Sequence, residues 1–106
     1  MDTRPAETWR RIEQSELEIP GVTAGTGFGR SVGLRISNKI FAMFSNDELI
    51  LKLPRNRVGE LIESGEGHAW GPGTGKIMKE WVAVSSDATQ NWAALVVEAR
   101  AFVRPS

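Results

Sequence analysis

Two tight-turn signals inside one apolar stretch constrain this chain more than any other feature. Between Val32 and Leu53 it reads VGLRISNKIFAMFSNDELILKL, broken into three short runs by Ser37-Asn38 and Ser45-Asn46-Asp47. Asn and Asp tolerate positive φ and bond their own backbone, so both breaks predict tight turns. The runs alternate with period two, the pattern of a sheet buried on one face. Val32, Leu34 and Ile36 share one face of the first run, opposite Gly33, Arg35 and Ser37. Leu49, Leu51 and Leu53 face away from Glu48, Ile50 and Lys52 in the third. The middle run, Ile40-Phe41-Ala42-Met43-Phe44, is apolar on both sides, as suits a central strand. Connections this short cannot make a crossover, so the three strands form an antiparallel meander.

The flanks read as its cover. A first helix is predicted from Pro5 to about Leu17, capped by Asp2 or Thr3, with Trp9 and Ile12 on its buried stripe and Pro20-Gly21 ending it. Val22 to Arg30, with Gly25, Gly27 and Gly29 around Phe28, reads as a flexible or bulged edge strand. Pro54 opens a second helix with Val58, Leu61 and Ile62 on one side and Gly65 as its stop. Glu66 to Gly75 is a glycine-dense loop, and Lys76 to Val84 is β-prone, with the buried face open on pattern alone. Asp87 is placed to cap a last helix, about Ala88 to Val103, whose stripe is Trp92, Leu95, Val96, Ala99, Phe102 and Val103. Trp9 and Trp92 belong in the core; Trp70 is expected to be exposed or to cap the sheet edge. The order α-β-β-β-α-β(-β)-α predicts an α+β fold, a two-layer sandwich of about five antiparallel strands with helices on one face. Residues 1–106 form a single domain.

Composition excludes several chemistries. There are no cysteines and one histidine, so disulfides, thiolate zinc sites, a catalytic thiol and a multi-histidine metal site are outside this chain's reach. No cofactor is indicated. Thirteen basic and thirteen acidic residues cancel, which argues against a uniformly basic nucleic-acid binder while leaving room for a local patch. No apolar run is long enough for a membrane span and the N-terminus does not resemble a signal peptide, so the expected compartment is the cytoplasm.

Catalytic patterns fail on inspection. Gly71-Pro-Gly-Thr-Gly-Lys76 suggests a phosphate loop, but Trp70 stands where the first glycine belongs, Ile77 replaces the Ser or Thr, and a strand follows. Gly25, Gly27 and Gly29 are spaced too closely for a dinucleotide fingerprint, and no helix follows them. His68 has no partner at local spacing and is expected to be a solvated loop residue. Glu13, Glu16 and Glu18 read as a solvated helix face, with pairs such as Arg10 to Glu13. The expectation is therefore a non-enzymatic chain. A small-molecule enzyme would need convergent polar groups in a pocket, and no such constellation is visible.

The basic residues are more suggestive. Arg35 and Lys52 oppose the apolar sets of their strands and should share the exposed sheet face; Lys39, Arg55, Lys76 and Lys79 lie nearby. With Trp81 alongside, these residues form a candidate nucleic-acid or partner face, offering cations and an aromatic. The plainer alternative is a solvent-facing sheet with edge-protecting lysines. A protein partner could also add as a strand at an open sheet edge.

Three segments in order, Lys39-Ile-Phe-Ala-Met43, Leu51-Lys-Leu-Pro54 and Lys76-Ile-Met-Lys-Glu-Trp-Val82, resemble the N-terminal domain of the TfoX/Sxy competence regulators. The similarity runs from about Gly33 to Val103, and Ile19-Pro20-Gly21-Val22 is similar, more loosely, to the MmcQ/YjbR group. The resemblance implies a two-layer α+β fold and a regulatory role in transcription, with no catalytic residues to carry over. In the regulators this domain acts beside a separate C-terminal one; here the sequence ends three residues past the last predicted helix, so a lone domain is expected. The leading expectation is a bacterial-type regulatory or protein-interaction domain; the alternative is direct nucleic-acid binding.

Overall fold

The structure is a computed structural model that describes residues 4–25, 32–71 and 79–104. Its elements are α1 (Pro5–Glu16), β1 (Val22–Ala24), β2 (Val32–Ile36), β3 (Lys39–Ser45), β4 (Glu48–Lys52), α2 (Arg55–Ser64), β5 (Gly67–Ala69), β6 (Trp81–Val84), a 3-10 segment (Ser86–Asn91) and α3 (Trp92–Val103). Both predicted turns form with left-handed backbone, φ 51° and 67° at Ser37 and Asn38 and 52° and 62° at Asn46 and Asp47. Two successive positive φ values match the right-handed twist of the flanking strands. They set the register of the meander, in which Leu34 faces Ala42, and Ala42 faces Leu51. One extra residue, Phe41, bulges β3 between the Leu34 and Arg35 pairings and joins the same core as Ala42.

Every neighbouring pair is antiparallel, and the six strands lie in the order β1-β2-β3-β4-β6-β5. This is an α+β sandwich with α3 across β3 and β4, α1 beside α3, and α2 over β5 and β6. Leu34, Phe41, Leu49, Leu51, Leu53, Val82 and Val84 are fully buried beneath Trp92 and Val96. Phe44 stacks on Trp9 at 5.9 Å and meets Trp92 edge-on at 6.1 Å, while Trp92 Nε1 donates to the Ser85 carbonyl at 3.2 Å.

Six strands stand where about five were expected. The addition is β5, inside a segment that reads as loop: a Cβ on Gly67 would lie 2.8 Å from Val82 Cγ2, so only glycine allows β5 this close to β6. The last helix also departs from expectation. Its entry is a 3-10 segment with a break at Ala88, and Ser85, not Asp87, is the cap, accepting the Asp87 N–H at 3.1 Å. Phe102 falls off the buried stripe and is 39% exposed. At α1 the cap position is held by Arg4 rather than Asp2 or Thr3, with no side-chain bond.

Ion pairs tie the helices together, while Glu18 lies exposed as expected. Glu16, expected on a solvent face, is buried and accepts from Arg100 Nε at 2.7 Å, joining α1 to α3. Arg57 donates through Nε and Nη2 to both oxygens of Glu98, at 2.9 and 3.2 Å, and through Nη1 to Glu60 at 3.0 Å, joining α2 to α3. These bonds, that to Glu98 foremost, raise the Arg57 pKa above its ordinary value.

Candidate interaction surface

Antiparallel pairing fixes which side chains meet at each end of the sheet. The turn between β2 and β3 brings Arg35 and Lys39 to one end. β4 finishes there at Lys52, and the Leu53 N–H donates to the Glu80 carbonyl at 2.9 Å, so Lys79 arrives at the same place. α2 then opens with Arg55. Arg35, Lys39, Lys52 and Lys79 thus stand on or beside four consecutive strands, β2, β3, β4 and β6. At about 4.8 Å per strand this row is about 14 Å long. The opposite end carries carboxylates: Asp47 in the second turn, Glu48, Glu66 before β5, and Asp87 after β6.

The face itself differs from expectation. Arg35 and Lys52 do lie on the helix-free side, opposite Ile40 and Trp81 respectively. Trp81, however, is only 9% exposed. It belongs to a second apolar cluster with Met43, Ile50 and Ala83, against which Ile40 and Trp70 pack, the two indole centroids 5.4 Å apart. Cations therefore border a buried apolar strip, and no stacking platform is presented by Trp81. Lys79 lies in a turn before β6, not within a strand. Lys76, the phosphate-loop lookalike beyond Gly71, and Gly27 and Gly29 lie outside the described residues.

Two of the cations sit at a local cost. Arg55 occupies the first turn of α2, where the helix dipole is positive and no acid is present. Arg35 is half-buried, and its Nε is buried without an acceptor among the described residues. Neither placement helps the fold. None of Arg35, Lys39, Lys52, Arg55 or Lys79 makes an ion pair among the described residues.

His68 was expected in a loop without a partner. It stands on edge strand β5, with Nε2 2.7 Å from Glu48 Oε2 and Nδ1 3.1 Å from the Ala69 carbonyl. Both ring nitrogens face oxygens, so the Glu48 bond raises the imidazole pKa above its usual value despite slight desolvation. No spacing rule could reveal this pair, because the contact reaches across β6 from a strand twenty residues away. With both nitrogens engaged, the imidazole holds the strand rather than a nucleophile.

No group of three or more metal-ligating side chains assembles among the described residues, and no helix there is long and apolar enough to cross a membrane. Both sheet edges, β1 and β5, are three residues long, the short kind that limits strand addition. Comparison with protein-family models, curated proteins and solved structures finds no match to this chain.

Proposed function

We propose that this chain is a cytoplasmic, non-enzymatic interaction domain, regulatory in kind, that holds an anionic partner at the basic end of its sheet. The observation that carries this reading is the row of Arg35, Lys39, Lys52 and Lys79 with Arg55 beside it, without an ion pair among the described residues, in a chain whose net charge is zero. Charges placed for solubility alone are interspersed in sign. Here they are largely sorted by position, with Glu80 the exception beside Lys79. The resemblance to the TfoX N-terminal domain supports the regulatory part of the proposal.

Retention on a heparin column at about 50 mM salt tests it. The wild type should bind and elute with salt, and a variant carrying Lys39→Ala, Lys52→Ala and Lys79→Ala should flow through. A control with Arg10→Ala and Arg11→Ala, two exposed cations of α1, should be retained like the wild type. Flow-through of the wild type, or equal loss in the control, overturns the reading.

A further inference from the structure

The basic end also carries information about what kind of anion it suits. Protein interfaces draw their affinity from a desolvated apolar or aromatic anchor surrounded by polar groups. On the helix-free face Trp81, Met43, Ile50 and Ala83 are buried within the domain's own second cluster, and Ile40 and Trp70 pack half-buried against it. What remains among the described residues is a row of cations, one on or beside each of four adjacent strands, with Ile40 and Trp70 half-buried and no fully exposed large apolar side chain among them. Such a file lacks the anchor of a protein interface and has the one thing that binding to a phosphate backbone requires.

Resting on the reading above, we infer that the partner at this end is a single nucleic-acid strand, held along its phosphate backbone without base recognition. A file about 14 Å long, one strand spacing per charge, matches one backbone rather than the two that border a groove. Among the described residues, no helix or two-stranded ribbon projects from this end to enter a groove. Trp81 is buried and the half-buried Trp70 packs against it, which leaves little indole surface on which a base could stack, so the sequence of the strand should matter little. Glu80, in the same turn as Lys79, is the one carboxylate in the row and opposes binding.

The experiment is fluorescence anisotropy with labelled oligo-dT, oligo-dA, a duplex of equal length and polyglutamate of equal charge, across a salt series. About five phosphate contacts, from the four cations of the row and Arg55, give a log–log salt slope of about −3.5 for a single strand, a loss of roughly 130-fold between about 50 and 200 mM salt. Oligo-dT and oligo-dA should differ by less than about threefold, because the phosphates and not the bases are held. Changing Lys39, Lys52 and Lys79 to Ala should make the slope shallower by about 2. Glu80→Gln should tighten binding severalfold at low salt and leave melting unchanged, which separates a binding effect from a folding one. Tighter binding of the duplex, or a strong base preference, overturns the inference. Polyglutamate binding as well as oligo-dT overturns it too, while leaving the anionic-partner reading intact. Failure of every polyanion, heparin included, removes both.

Discussion

On the helical layer each arginine that bridges two elements has its carboxylate: Arg100 with Glu16, and Arg57 with Glu98 and Glu60. At the basic end of the sheet five cations stand together and none has one among the described residues. The two groups carry the same charge in one small domain, so the difference lies in position. A cation between two helices is oriented and partly desolvated, and an unpaired charge there would be costly. An exposed cation at a strand end, such as Lys39 or Lys79, keeps its water and imposes no such demand. The comparison separates charges that hold the fold from charges that the fold merely carries, and the second group is where an outside partner can act.

Mutations should respect that division. The largest effect belongs to the core under the helical layer. Trp92→Ala removes a fully buried indole and its bond to Ser85, and should cost about 3–5 kcal/mol in urea unfolding. A midpoint unchanged from wild type would mean that α3 is not anchored through this residue. Next comes Glu16→Ala, which leaves the Arg100 guanidinium, only 15% exposed, facing an emptied site. The expected loss is about 2–3 kcal/mol, and adding Arg100→Met should recover part of it. If the double variant is no more stable than Glu16→Ala, the pair is not what joins α1 to α3. Arg57→Ala breaks a bidentate but more exposed bond and should cost about 1 kcal/mol or less, shrinking further in high salt.

The sheet was legible because its turns and strands declare themselves locally. Ser37-Asn38 and Asn46-Asp47 demand left-handed backbone, and the alternation of Leu49, Leu51 and Leu53 assigns a face without reference to anything distant. What escaped the sequence depends on the third dimension. Gly67 reads as loop because its reason, the nearness of Val82, lies in another strand. Glu16 and Arg100 are 84 residues apart, and Glu48 and His68 meet across β6, which pairs with both their strands. The candidate surface was half legible. Arg35 and Lys52 could be placed on one face by counting, but the burial of Trp81 follows from Trp70, Met43 and Ile50 converging on it.

His68 is the intermediate case, an ion pair exposed on the sheet. Its folded pKa is raised by Glu48, so the pair stabilises the domain fully below the unfolded value near 6.5 and loses that contribution as pH rises through the raised folded value. The melting temperature of the wild type minus that of His68→Gln should therefore shrink between about pH 6 and pH 8. Imidazole resonances followed by NMR check the cause directly. Glu48→Gln should bring the titration midpoint down, and a midpoint that does not move would assign the shift elsewhere.

The smallest expected change in stability is the one that tests the comparison most sharply. If the cations at the sheet end served the fold, removing them would weaken it. If they are carried for a partner, their mutual repulsion and the position of Arg55 at a positive helix end are costs that the fold bears. Lys39→Ala, Lys52→Ala and Lys79→Ala should each leave stability within about 0.5 kcal/mol of wild type. Together they should hold the melting temperature or raise it. Added salt should stabilise the wild type more than the triple variant, because it screens a repulsion that only the wild type retains. A triple variant that melts lower at every salt concentration would place these lysines with Arg57 and Arg100 as structural charges. One that melts at or above the wild type and no longer binds a polyanion would mark a surface maintained against the interest of stability, the signature of a binding site.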